Sequence, residues 1–541
     1  MAKRVAPLVA LFVLACAPGV PAATPGSAPA DGYERLLALF AEWRAFQKPR
    51  VVDGVPDYTP AAMADQGRRL PELQARLAAI DTAGWPVSRR VDHRLVEAEM
   101  NGLDFDLRVL RPWARDPAFY ATVVESQSDT PSREGPTIEG AIELWRHAFP
   151  LPPDEASRLR ARLQAIPRVL AQARANLVGD ARDLWLVGIR THREQAALLA
   201  SLAERLRPVQ PDLVGDVERA REAEDAFRAW LEEALPSKTG PSGVGRESYD
   251  WYLRHVHLVP LTWRDELTLM QRELARSRAH LALEEHRNRA LPPLEPAATA
   301  EEWQRRVDEG FALYMRFLRQ REILTVTDDM EPALRARLGS FVPPGRRDFF
   351  SEVDAREPLL LRCHGFHWFD LARMASAPHP SPVRRGPLLY NIWDSRSEGM
   401  ATAMEEWMMT AGLLDARPRG RETFWIGIAQ RAARAIAGLR MQANEWTVEE
   451  AVRFAAAETP RGWLRADGDT VWGEQQLYLE QPGYGTSYLV GKALLEDLLA
   501  ERAAQLGAGF TLKGFMDEVN ASGMIPVSLI RWETTGREPK P

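Results

Sequence analysis

Pro358 to Leu371 reads P-L-L-L-R-C-H-G-F-H-W-F-D-L, and Ser397 to Trp407 reads S-E-G-M-A-T-A-M-E-E-W. Two of the ten histidines, His364 and His367, stand beside Asp370 in the first piece. Glu398, Glu405 and Glu406 follow in the second. Nowhere else in the chain do potential metal ligands and carboxylates crowd so closely around short apolar runs. His364 and His367 are i,i+3 and share one face if Arg362 to Met374 is helical. Glu398 and Glu405 are i,i+7 on one helix face, with Thr402 near it. This stretch is expected to form the floor of a central cleft.

Outward from it, helical spacing dominates. Leu36, Leu37, Phe40 and Trp43 give a first helix, and Thr59-Pro60 starts another in the N-cap, N1 manner. Further helices are expected over Leu70–Ile80, Val91–Leu110, Ile138–Phe149 and Pro153–Leu177, the last kinked at Pro167. Arg190–Leu206 and Leu213–Leu235 read as an antiparallel pair. Thr262 to Asp265 and Thr447 to Glu450 are capping boxes, and Thr299 caps a third helix. Strand-like pieces are few: Leu324–Val326, Leu359–Arg362 and Leu388–Ile392. The fold class is therefore mostly α, a large helical protein with a small β-sheet beside the central cleft. Pro112–Pro136 is irregular and ends in a long surface loop, S-Q-S-D-T-P-S-R-E-G-P. Ser237–Gly245 reads as a flexible connector between an N-terminal helical region, 32–236, and a C-terminal one, 246–541.

The first residues read as an export signal, with Lys3 and Arg4 before the apolar run Val5–Ala15. That run is too short to span a bilayer, which takes ~20 residues. Val13-Leu14-Ala15-Cys16 resembles a bacterial lipoprotein box with Cys16 as the acylated residue, so that 1–16 is the signal and 17–31 a flexible tether. Val20-Pro21-Ala22 offers ordinary cleavage instead. The lipoprotein reading is preferred, because a Cys just after such a run has no other evident purpose. Either way the protein is exported, as a periplasmic protein or a membrane-anchored lipoprotein. The 541 residues are 45% hydrophobic and 27% charged, which is ordinary for a soluble globular protein. A net charge of -6 with no basic, aromatic-rich patch excludes a nucleic-acid partner. Membrane contact is expected only through the lipid anchor. With Cys16 acylated, Cys363 is left alone, and no internal disulfide can form.

A helical zinc hydrolase needs two histidines at helical spacing, a glutamate as general base and a third ligand from a later helix. No His-Glu dipeptide occurs, so H-E-x-x-H is absent. His364, His367 and Glu398 are the candidate metal ligands, zinc the candidate cofactor, and Glu405 and Asp370 the candidate acid–base groups. The alternative reading has the imidazoles bonded to carbonyls or to Asp370, and the glutamates paired by Arg431, Arg434 and Arg440. Gly485–Lys492 imitates a phosphate-binding loop with the wrong glycine spacing, and no G-x-S-x-G is present.

Four segments together resemble the bacterial "domain of unknown function 885" family of helical, zinc-peptidase-like proteins. Tyr249 to His255 with Pro260-Leu261-Thr262 is similar to its Y-d-y-l-L-R-H segment, and Glu398 to Glu405 to its E-G-W-A-L-Y-A-E. Glu474 to Tyr478, Pro482-Gly483 and Ser487-Tyr488 resemble E-x-x-R-Y…P-G-Q-A-x-S-Y. Phe510 to Phe515, Gly523 and Ile525-Pro526 resemble the closing helix and turn. The resemblance implies a zincin-like helical peptidase architecture. It also implies binding roles for Glu398, Glu474, Tyr478, Tyr488 and Arg434. The hallmark H-E-x-x-P-G-H-H is not kept. Leu360 and Leu361 stand on its His-Glu, Gly365 on the Gly, Phe366 on the next His and His367 on the last. Gly438, Gln442 and Leu477 replace a further Asp, His and Arg. Two expectations follow. One is a degenerate metallopeptidase-like protein that keeps its cleft for a peptide or an envelope protein. The other is a metal-dependent peptidase or amidase rewired onto His364, His367 and Glu398.

Overall fold

The computed structural model describes residues 31–539; the export segment, Cys16 and the tether as far as residue 30 lie outside the described residues. Helices follow the caps read from the sequence. Thr59 caps Pro60–Ala78, accepting from the Ala62 N–H, and Thr262 with Asp265 closes a capping box on Trp263–Arg287. Thr299 caps Ala300–Gln320, and Thr447 with Glu450 caps Val448–Glu458. Each such cap satisfies backbone N–H groups that the first turn leaves free. No helix among the described residues is long and apolar enough to cross a membrane.

Two large apolar cores organise the described residues, beside a small third cluster of Ala297, Trp303 and Val307. One gathers Trp113 to Leu231, through Pro153–Asn176, Arg182–Leu206 and Val214–Ala234, with Met63 beside them. The other takes side chains from Leu36 to Phe105 together with those from Tyr249 to Trp532. Residues on both sides of Ser237–Gly245 thus share the larger core. Helix Arg182–Leu206 serves both, turning Leu184 and Val187 to the larger core and Trp185, Ile189 and Leu199 to the smaller. The Ser237–Gly245 segment itself is fastened: the Gly243 N–H donates to Asn444 Oδ1 at 2.8 Å and the Gly245 N–H to the Gln442 carbonyl at 2.8 Å.

The expected small sheet beside the cleft is not there. Leu359–Arg362 lies inside a helix, Pro358–His364, because Pro358 suits the first turn and Glu357 caps the Leu359 N–H at 3.3 Å. Leu388–Ile392 is a turn, with Tyr390 and Asn391 in the left-handed region at φ 56° and 50°. Leu324–Val326 is irregular. The observed strands are two-residue pairs elsewhere, Val51–Val52 with Val55–Pro56 antiparallel and Val123–Val124 with Ile142–Glu143 parallel. The second pair replaces the helix expected over Ile138–Phe149, of which only a short turn, Leu144–Arg146, remains.

The site is set by a close helix crossing. Asp394–Thr410 and Tyr484–Leu506 meet at Gly399 and Gly491. A Cβ on Gly399 would stand 2.5 Å from the Gly491 backbone, and one on Gly491 would collide with the Ser395 carbonyl. Only glycines permit that approach, and it sets Glu398 against Tyr484 and brings Tyr488 alongside.

Candidate metal centre

Helix Pro358–His364 stops at Gly365, and a second helix, Phe366–Ser376, starts at once. A Cβ on Gly365 would come 2.5 Å from the tip of the Leu334 side chain, so glycine lets Leu334 pack directly against the corner. Arg362 to Met374 is therefore two helices, yet the corner still turns both imidazoles inward. His364 ends the first helix and His367 opens the second, their rings 5.1 Å apart and edge to face. Glu398 and Glu405 descend from Asp394–Thr410, two turns apart. Arg431 and Arg434 come from Pro418–Gln442, Glu474 and Tyr478 from Asp469–Glu480, and Tyr484 and Tyr488 from Tyr484–Leu506.

His364, His367 and Glu398 each offer one ligand atom, and the three atoms lie within 4.8 Å of one another. His367 Nε2 is 3.3 Å from Glu398 Oε2. Ligands about 2.0–2.2 Å from a tetrahedral zinc are about 3.4 Å apart, so this pair already has the right separation. His367 and Glu398 are buried; the His364 side chain keeps 19% of its surface exposed and is the open edge of the group. Glu398 Oε2 is buried and has no hydrogen-bond partner among the described residues. A carboxylate oxygen facing two imidazoles, 3.3 Å from one of them, is a donor arrangement that fits a cation once His367 gives up its proton. These three residues fit a zinc ion by this test.

Each ligand is held from behind. Tyr484 Oη donates to Glu398 Oε1 at 2.6 Å, and Ser397 Oγ lies 3.0 Å from His367 Nδ1. Glu405 Oε1 lies 3.0 Å from His364 Nδ1, while Arg431 donates to both Glu405 oxygens at 3.1 and 2.6 Å. Arg431 is also 3.2 Å from His364 Nδ1. One nitrogen cannot both donate to Glu405 and accept from Arg431; the carboxylate oxygen at 3.0 Å is nearer than the guanidinium at 3.2 Å, so Nδ1–H is assigned to Glu405, which leaves Nε2 free to bind a metal. Tyr488 lies parallel to His364, 6.3 Å away.

The charges follow from these contacts. Burial alone would push the Glu398 carboxyl up, but His367, His364 and the Tyr484 hydrogen bond together outweigh it and hold it down at about 2. Burial likewise opposes a charge on His367, and Glu398, with Asp129 and Asp370 farther off, raises its pKa to about 9. His364 is pushed down, by burial first and then by Arg431, with Glu405 offsetting part of this. Glu405 is buried, which favours its protonated form, yet Arg431 and His364 hold it below the usual carboxylate range.

The remaining sequence candidates fall into place as follows. Asp370 does not join the group; it is clamped by Arg396, twice at 3.2 Å, and by Arg373 at 2.6 Å, and borders a separate cavity of about 400 Å³ with His379 and Asn520. Arg434 pairs with Glu474, which also accepts from Gln430 at 3.1 Å, and the guanidinium lies 4.5 Å over Tyr488 and 5.6 Å from Tyr478. Gln442 bonds the Tyr478 and Leu479 carbonyls at 2.8 and 2.9 Å, and Gly438 leaves room for the Tyr478 ring. Cys363 is buried, and burial raises its thiol well above the ordinary value. Two groups were not foreseen: Tyr484 sits one helical turn before Tyr488 and could have been inferred from that face, and Ser397 adjoins Glu398.

The sequence profile described as "Bacterial protein of unknown function (DUF885)" matches residues 45–334 and 367–533. The chain belongs to this family. The two matched stretches of the DUF885 profile leave out 335–366, the segment with Leu360, Leu361 and His364. Two solved structures share the fold. One, "a putative lipoprotein of unknown function from Shewanella oneidensis", is 17% identical with a TM-score of 0.69, over 93% of this chain and 99% of that one. The other, "the putative lipoprotein from Colwellia psychrerythraea", is 12% identical with a TM-score of 0.64 over the same shares. No curated protein matches the chain.

Proposed function

We propose that this DUF885 protein is an exported, lipid-anchored, metallopeptidase-like protein. Its site keeps a metal-binding group but has lost hydrolysis, and it serves to bind a peptide or a partner at the cell envelope. The observation that carries the reading is the state of the carboxylates. Leu360 and Leu361 stand where the family's His-Glu would be. The two candidate replacements for the base are both held by arginines, Glu405 by Arg431 and Asp370 by Arg396 and Arg373. A general base must be free to take a proton at working pH; Glu405 is held below the usual carboxylate range by Arg431, and Asp370 is tied up in hydrogen bonds to two guanidiniums. Loss of a base and a ligand together costs several orders of magnitude in rate.

His364, His367 and Glu398 would hold a zinc ion, which when bound supplies Lewis-acid polarisation of a carbonyl. This chain's own residues supply orientation. Glu405 and Arg431 fix the His364 ring, Ser397 fixes His367 and Tyr484 fixes Glu398. Arg434, itself buried and paired with Glu474, stacks on Tyr488 beside Tyr478 and holds that side of the site in place. The lipoprotein box at Cys16, with two structural relatives described as lipoproteins, supports the anchor.

A second reading, an active peptidase or amidase with a rewired site, is favoured by the convergence of His364, His367 and Glu398 on one point. Incubation of tag-free, zinc-loaded protein with a diverse peptide mixture, read by mass spectrometry, separates the two. Retained peptides without cleavage support the first; cleavage abolished by His367→Ala overturns it in favour of the second. Incorporation of a labelled fatty acid, lost in Cys16→Ser, tests the anchor, and an unlabelled wild-type protein found in the soluble fraction would refute it.

A further inference from the structure

The loop expected at the surface between Glu125 and Pro136 instead reaches the site from the smaller core. Thr130 within it is buried, and the loop is closed on itself: the Thr130 N–H donates to Ser128 Oγ at 3.1 Å, and Thr130 Oγ1 donates to the Ser132 carbonyl at 2.7 Å. Ser128 Oγ donates to Glu134 Oε2 at 2.9 Å. The other oxygen of that carboxyl, Oε1, stands 3.2 Å from Tyr484 Oη. Gly135 follows at φ 86°, where a Cβ would lie 3.4 Å from Gln481, so the loop is seated against the chain just before the Tyr484 helix.

The Tyr484 hydroxyl therefore has a carboxyl on each side and a single proton to give. The shorter contact, 2.6 Å to Glu398 against 3.2 Å to Glu134, takes it. The Tyr484 oxygen can then only accept on its other side, so the contact with Glu134 is attractive when Glu134 brings the proton. Burial pushes the Glu134 carboxyl up, outweighing a backbone hydrogen bond and the one from Ser128, in keeping with that assignment. The order of donors runs from Glu134 to Tyr484 to Glu398, ending on the carboxylate that faces His364 and His367.

We infer that Glu134 and Tyr484 form a latch that holds loop 125–137 across the site and, through Tyr484, fixes the Glu398 carboxylate toward the two histidines. Glu134 is thus a positioning residue of the metal centre, supplied by the smaller core to a site built in the larger one. The second half of this inference rests on the metal reading above; the first half does not. Partners behind a metal ligand typically carry 10–100-fold in affinity.

The test uses three full-chain variants and two readouts. Amide hydrogen exchange of peptides spanning 125–137, on metal-free protein, reads the latch alone. Zinc affinity by competition with a chromophoric chelator reads its link to the site. Glu134→Ala and Tyr484→Phe should both speed exchange in the loop, by about tenfold or more, with the helices of the smaller core unchanged. Glu134→Gln, whose amide also donates to Tyr484, should exchange as the wild type does. Zinc affinity should fall about 10–100-fold in Glu134→Ala and stay near the wild-type value in Glu134→Gln. Unaltered exchange in Glu134→Ala overturns the latch. Equal effects of Gln and Ala also overturn it, since charge rather than a donated proton would then be at work. A wild-type protein that binds no zinc, with the exchange pattern as stated, defeats the metal reading and leaves the latch standing.

Discussion

Replacing Arg431 by methionine should injure both stability and the metal centre, and the two effects can be separated. The Arg431 and Glu405 side chains keep only 6% and 3% of their surface exposed and share two charge-assisted hydrogen bonds. Methionine fills much of the volume but leaves Glu405 buried with His364 alone. Breaking a buried pair from one side costs about 3–5 kcal/mol, because the remaining charge has lost both water and partner. For a chain of this length, an unfolding entropy of about 2.1 cal/mol/K per residue makes roughly 1 kcal/mol equal to 1 °C, so the melting temperature should fall about 3–5 °C. Arg431→Met with Glu405→Gln removes both charges, and most of that loss should return. Zinc affinity should not return with it, since a glutamine side chain holds His364 Nδ1–H less strongly than a carboxylate does. Differential scanning calorimetry of the single and double variants gives the first effect and chelator competition the second. A single variant melting within 1 °C of wild type, or a double variant no better than the single, would refute the view that Arg431 is there to neutralise Glu405.

Other consequences are as specific. Glu266, buried and accepting from Tyr249 Oη at 2.7 Å, has its carboxyl raised by burial to about 7. Its folded value lies above the unfolded one of about 4.5, so its contribution is full below pH 4.5 and is lost as pH rises through 7, about 3 kcal/mol in all. Glu266→Gln should therefore gain on wild type between pH 5 and pH 8 in paired thermal melts, and a constant difference across that range would contradict the assignment. Gly491→Ala drives a methyl group into the Ser395 carbonyl and must part the two central helices; we expect a loss of at least 1–3 kcal/mol together with weakened zinc binding, and a variant with wild-type melting and affinity would show that the crossing is not tight.

Much of this was legible in the chain, for physical reasons that differ from element to element. The capping boxes at Thr262 and Thr447 are local chemistry, settled within four residues, and they appear as read. The grouping of His364, His367 and Glu398 was visible as an unusual density of ligands, although the helix expected to carry both histidines is broken at Gly365. Leu359–Arg362 was ambiguous because a short apolar run suits a buried strand or a buried helix turn equally; Pro358 and the Glu357 cap decide it. Ser237–Gly245 looked flexible because its glycines and serines say nothing of Gln442 and Asn444, which fasten it from far along the chain. Glu134 was hidden for the same reason, since its role depends on a contact with Tyr484 that no spacing encodes. Arg431 was foreseen as a possible partner for the glutamates, and that bland expectation is what now argues against Glu405 as a base.

Metal content of the purified, tag-free protein tests the central claim most directly. Elemental analysis after dialysis against trace zinc should find about one zinc per chain, lost in both His364→Ala and His367→Ala while the fold persists by circular dichroism. A metal-free protein whose melting temperature does not move in added zinc would contradict the account.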